Sequence, residues 1–143
     1  MLTFKQVGKT NTDVTLKLAI QTALEREMNL VVATTKGDTA LRAAELAKEM
    51  GFTGKLVAVR CAYGAKAVDE NSLSNEVRDR LHQQGVTVVT AAHALSGAER
   101  GISKAFGGVY PVEIMAATLR MFGQGVKVCV EIALMAADCG AIR

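Results

Sequence analysis

The stretch from Leu30 to Met50, LVVATTKGDTALRAAELAKEM, decides the fold. A short apolar run rich in Val is followed by small polar residues and then by Leu41, Ala44 and Ala47 at helical spacing, which reads as strand, tight loop, helix. The first N–H groups of a helix lack partners within it and carry the positive end of its dipole. Thr34, Thr35, Lys36, Gly37 and Thr39 therefore offer hydroxyls, one cation and a helix start to an oxyanion such as a phosphate or carboxylate. Asp38 counts against this, because its carboxylate competes for the same dipole or simply caps the helix. The anion site is the favoured expectation.

On either side the pattern repeats. Val14, Leu16, Ala19, Ile20, Ala23, Leu24 and Met28 keep an apolar face at helical spacing, so a helix is expected over 11–28, with Asn11 or Thr12 capping its first turn. After strand 30–34 and helix 38–50 come strand 55–60, an irregular loop, helix 74–84 closed by Gly85, and strand 86–90. Ser96 and Glu99 stand in capping-box spacing and open a short helix. Pro111 suits the first turn of another, running to about Phe122. The segment 125–140 alternates Val126, Val128, Val130 and Ile132 as a strand would, yet its length and Ala-rich second half favour a buried helix. Such alternation means an α/β fold with a mostly parallel sheet and helices on its faces. No repeat or linker interrupts it, so 1–143 is expected to form one domain.

The 143 residues suffice for a real core, half of them are apolar, and the net charge is only +3. Lys and Arg are scattered and aromatic residues are few, which argues against a nucleic-acid partner and for a small anionic ligand. Cys61, Cys129 and Cys139 show no metal-ligand spacing and are odd in number, as expected of reduced thiols and of no bound metal. The N-terminal MLTFKQVGK lacks the apolar core of a signal peptide. The most apolar run, 126–137, is too short to span a bilayer and contains Lys127 and Glu131, so a cytoplasmic protein with no membrane partner is expected.

In a parallel α/β sheet the helix starts share an edge with the carboxyl ends of the strands, where ligands bind. That rim gathers Asn11 and Thr12, Thr34 to Thr39, Cys61 to Gly64, and Ala91 to Arg100. The GKT at residues 8–10 has Thr3 where a P-loop needs its first glycine and no strand leading in, so it reads as coincidence. His93, with Ser96, Glu99 and Arg100 nearby, could supply a base and a second anion clamp, but a hydrogen-bonded structural histidine is the commoner outcome. His82 is expected to face water. Cys61 is read as a small residue closing a strand rather than as a nucleophile, and Cys129 and Cys139 as core packing. Glu131 is either an exposed helix edge or a buried partner for an Arg.

Four segments, NTDVTLKLA (11–19), VVATTKGDTALRAAEL (31–46), HALSGAERGISKAFGG (93–108) and YPVEIMAATLRMFGQGVKVCVEIALMAAD (110–138), resemble the stand-alone pyruvate kinase C-terminal-domain-like family, the pyruvate kinase alpha/beta domain proteins. The resemblance runs from about Phe4 to the end of the chain. It implies a three-layer α/β/α sandwich and a ligand site at the carboxyl edge of the sheet. In pyruvate kinase the loop similar to 34–39 cradles a phosphate, and members of the stand-alone family look like FMN binders. Carried onto this chain, Thr34, Thr35, Gly37 and Thr39 would hold the phosphate, with Lys36, Asp38, Asn11 and Thr12 beside it. Tyr63, Gly64 and the loop His93, Ala94, Ser96, Gly97 would flank the ring, and Arg100 would add a second clamp.

Two departures stand out. Family members carry a Thr-His-His-Tyr-Gly-Phe type segment after the second strand, where this chain has Arg60, Cys61, Ala62, Tyr63, Gly64 and Ala65. They also continue with a glycine-rich strand and a final strand where this sequence stops at Arg143, so part of the rim and one side of the sheet are expected to be missing. An open sheet edge invites a homo-oligomer. The resulting expectation is a domain binding FMN or another phosphate-bearing ligand. Two other readings stay open: a non-catalytic regulatory or assembly module sensing a sugar phosphate, and a flavin-dependent enzyme of unknown substrate. Pyruvate kinase activity is not expected, because the resemblance extends only to a C-terminal domain without the barrel that gathers metal-binding carboxylates.

Overall fold

Three Val- and Leu-rich runs form one parallel sheet in the computed structural model, which describes residues 2–143. Strand β1 (Leu30–Thr34) pairs with β2 (Leu56–Arg60) from Leu30 opposite Leu56 to Thr34 opposite Arg60, and β2 pairs with β3 (Thr87–Thr90) from Val57 opposite Thr87. The spatial order is β1-β2-β3. Parallel neighbours need crossovers, and right-handed ones in sequential order put both connecting helices on the same face. Helices α2 (Asp38–Glu49) and α3 (Asn75–Gln83) are those crossovers.

With α1 (Thr12–Glu25) they cover one face of the sheet. Leu16, Ile20, Ala40, Ala43, Leu46, Leu73 and Leu81 pack there against Val32, Leu56 and Ala58. The opposite face presents Val57, Val59 and Val89 to Ile132, Met135 and Ala136 of α6 (Gln124–Asp138). The molecule is thus an α/β fold with helices on both faces of a small parallel sheet. Strand β2, flanked on both sides, is buried along its whole length, whereas among the described residues β1 and β3 each pair on one side only. Helices α4 (Ala98–Phe106) and α5 (Pro111–Arg120) lead from β3 to α6, and α5 packs on α6.

Every expected element forms, and the segment that alternates like a strand is a helix. The local chemistry differs at four places. The Asn11 side chain does not cap α1; its amide donates to the Gln6 carbonyl at 2.7 Å. Helix α1 ends at Glu25 rather than near Met28 because Glu27 turns to φ 52° and the Met28 N–H donates back to the Ala23 carbonyl. Ser96 and Glu99 make no capping box: Gly97 holds the cap position, Ser96 donates to Glu131, and Glu99 accepts from the Val112 N–H at 2.7 Å. Cys129 and Cys139, expected in the core, are exposed, because α6 turns a different face inward. His82 is exposed as expected. Among the described residues no helix is long and apolar enough to cross a membrane.

Candidate functional site

All three strands run the same way, so their carboxyl ends at Thr34, Arg60 and Thr90 lie along one rim. A cleft of about 440 Å³ opens there. The loop from β1 to α2 lines it with Thr34, Thr35, Lys36, Asp38 and Thr39, and the end of β2 contributes Arg60 and Cys61. His93 follows from the loop after β3, and Val128, Glu131, Ile132 and Met135 of α6 form the far wall.

Arg60 ends the central strand and is only 6% exposed. Its guanidinium donates to the Thr90 hydroxyl and, at 3.4 Å, to the Leu73 carbonyl, and it lies 5.4 Å from the centroid of the Tyr63 ring. Among the described residues no carboxylate pairs with it. Lys36, in the same cleft, also makes no ion pair there. The nearby cation Lys9 is spent on Asp38 across an exposed 3.7 Å contact. The β1–α2 end of the cleft therefore carries an excess of positive charge.

The α6 wall is built differently. Lys127 and Glu131, one turn apart, form an ion pair that faces inward, both almost fully buried. One Glu131 oxygen accepts from the Leu95 N–H at 2.9 Å and the Ser96 hydroxyl at 3.0 Å, and the other accepts from Lys127 and stands 3.8 Å from Nδ1 of His93. Burial pushes the Glu131 carboxyl up, but the Lys127 ammonium, the Leu95 N–H and the Ser96 hydroxyl together outweigh it and hold the group below its ordinary 4.5. A carboxyl lowered by folding contributes stability that is present above its unfolded value and lost as the pH falls through the folded one. Stability is therefore expected to decline below about pH 4.5. The double variant Lys127→Met, Glu131→Gln should flatten that part of the profile, measured by urea unfolding between pH 3 and 6.

Of the residues expected at the site, Thr34, Thr35, Lys36, Asp38, Thr39 and His93 meet in the cleft. Gly37 lies between them but plays another part than expected. Its N–H already donates to the Thr34 hydroxyl at 3.1 Å, its φ is 107°, and a Cβ added there would overlap Cγ1 of Val77. Its bare face is turned to α3 rather than to a ligand. Asn11, Thr12, Tyr63, Gly64, Ala94 and Gly97 do not line the cleft. Ser96 and Arg100 instead line a separate recess with Leu95, Glu113, Ala116 and Arg120. Arg60 and Glu131 are the two functional candidates that the rim argument missed. A cation closing an otherwise apolar central strand was the available signal for the first, and Lys127 four residues before Glu131 was the signal for the second. The partner of Glu131 is this lysine, not an arginine.

Among the described residues no group of three or more His, Cys, Asp or Glu side chains is arranged to hold a metal ion. No protein-family model matches the chain.

Proposed function

We propose that the cleft at the carboxyl edge of the sheet binds a small phosphate-bearing molecule by its anionic group, with FMN as the candidate that the resemblance to the pyruvate kinase alpha/beta domain proteins suggests. The observation that carries this reading is Arg60, a buried cation that makes no ion pair among the described residues. Burying a charge is costly unless it is paired, and a bound oxyanion would supply the missing pair. Thr35, Thr39, Lys36 and the start of α2 would complete the clamp, while the apolar wall of Val128, Ile132 and Met135 would take the body of the ligand.

The volume of about 440 Å³ lies within the range of small-molecule sites. Tyr63 fits the ring-flanking role less well, since its ring lies over Arg60 and outside the cleft lining. A bound flavin supplies redox chemistry at its ring; this chain supplies the anion clamp, the apolar wall and the carboxylate-flanked His93. That division describes a binding domain, and the three-layer sandwich of the resembled family is the frame it would occupy.

The test is a titration of FMN, and separately of a sugar phosphate, into the parent protein and into Arg60→Met. Charge-assisted hydrogen bonds are worth about 1.5–3 kcal/mol, so the variant is expected to bind roughly 10- to 150-fold more weakly. Its thermal midpoint should not fall in step, because an unpaired buried charge has been replaced by an apolar chain of similar length. Equal affinity in the variant would remove Arg60 from the clamp. Binding of the sugar phosphate alone would select the regulatory alternative.

A further inference from the structure

We propose that His93 is a proton-dependent arm of the anion clamp, so that the cleft takes a phosphate monoester as its dianion together with a proton on the imidazole. The proposal rests on the Arg60 clamp put forward above and adds the class of ligand. His93 reaches the cleft from the loop after β3, shortly beyond Thr90, whose hydroxyl accepts from Arg60. The imidazole thus stands on the same rim as the buried guanidinium. Its ring is partly exposed and lines the cleft, and its Nδ1 lies 3.8 Å from Oε2 of Glu131.

The carboxylate behind the ring is fixed both in place and in charge. Glu131 Oε1 accepts from the Leu95 N–H and the Ser96 hydroxyl, which leaves Oε2 to Lys127 and to His93. These hydrogen bonds and the Lys127 ammonium hold the carboxyl below its ordinary value, so it is ionised throughout the range in which histidine commonly titrates. An ionised carboxylate at one edge of an imidazole favours the protonated ring.

The surrounding charges decide when that proton is taken. On α6, Lys127 offsets part of the Glu131 charge. Arg60 and Cys61 face the cleft from the end of β2, and Lys36 and Asp38 face it from the β1–α2 loop. Asp38 is already paired with Lys9. In the empty cleft the cations outnumber the carboxylates and oppose one more positive charge. A dianion bound against Arg60 and Lys36 reverses that balance. Binding then draws a proton onto His93, and by linkage a proton on His93 tightens binding. A phosphodiester or a carboxylate brings a single charge and gains less.

NMR of the imidazole signals tests this in the full chain, which has 2 histidines; His82, exposed on α3, serves as the reference. Sulfate is the probe, because it stays a dianion from about pH 5.5 to 8, whereas a phosphate changes charge near pH 6. A Cys61→Ser background removes the other group of the lining that titrates close to this range. Saturating sulfate is expected to raise the His93 midpoint by about one pH unit and to leave that of His82 in place. By linkage, sulfate then binds about tenfold more tightly at the acid end of the range than at the alkaline end. His93→Gln, checked for folding by circular dichroism, should bind sulfate at every pH as weakly as the parent does at about pH 8. Methyl phosphate should displace sulfate about tenfold better than dimethyl phosphate, a diester with one charge fewer.

A His93 midpoint that stays put while sulfate binds overturns the proposal, as does a pH slope that survives in His93→Gln. Equal displacement by the two esters overturns the ligand class. In each case a weaker affinity in Arg60→Met leaves the clamp itself standing. Sulfate binding that Arg60→Met does not weaken removes the clamp, and the absence of any saturable response up to tens of millimolar sulfate overturns both.

Discussion

Replacing Lys127 by methionine is expected to remove about 3–5 kcal/mol of folding stability, the usual cost of breaking a buried ion pair from one side. Glu131 would keep the Leu95 N–H and the Ser96 hydroxyl but lose the charge that now offsets its burial. Its carboxyl would then rise in the folded state, so that folding near neutral pH requires either a buried bare charge or the uptake of a proton. The double variant Lys127→Met, Glu131→Gln removes both charges while leaving an amide oxygen to accept from Leu95 and Ser96. It should recover most of the loss, because neutral replacement of a whole buried pair is often close to costless. Urea unfolding of the parent, both single variants and the double variant closes the cycle. A loss below about 1 kcal/mol in Lys127→Met would mean that the pair is as weak as one on the surface.

Gly37→Val is the second large effect, and it should act on folding before it acts on binding. The backbone at Gly37 has φ 107°, a conformation that side chains rarely adopt, and the added Cβ would collide with Val77 on α3. Left-handed strain costs about 1–3 kcal/mol and overpacking a similar amount. A combined loss of roughly 2–6 kcal/mol follows, enough to unfold a marginal domain. Gly37→Ala with Val77→Ala relieves the clash but not the strain, so it should recover only part of the loss in a thermal melt. If Gly37→Val melts with the parent, the loop does not pack on α3 as described.

Much of the architecture was legible in the sequence because strand and helix periods alternate cleanly between Leu30 and Thr90. The rim followed from the parallel topology alone: Thr34, Thr35, Lys36, Asp38, Thr39 and His93 meet there, whereas Asn11, Thr12, Gly37, Tyr63, Gly64, Ala94 and Gly97 do not line the cleft. What stayed hidden has physical causes. Arg60 ends a strand, where a charge ordinarily escapes to solvent, and only the pairing of β2 on both sides buries it. In α6 the apolar residues run nearly all round, so no stripe selects an inward face; the fold turns the charged pair inward and leaves Val130 outside. The role of Gly37 depended on which neighbour approaches its bare face. That neighbour, Val77, lies forty residues further along the chain.

The order of the elements also bears on how the protein is made. The first face of the sheet is covered by α1, α2 and α3, all complete by the time β3 has been synthesised. The second face waits for α6, which ends at Asp138, 48 residues after the end of β3 at Thr90. At about 5–20 residues per second, a ribosome takes roughly 2–10 s to add that stretch. During that interval Val57, Val59 and Val89 lack the helix that shields them, so a nascent chain carries a half-clad sheet. Synonymous changes that slow translation between Thr90 and Gln124 would lengthen the interval and favour aggregation, while leaving the finished protein identical.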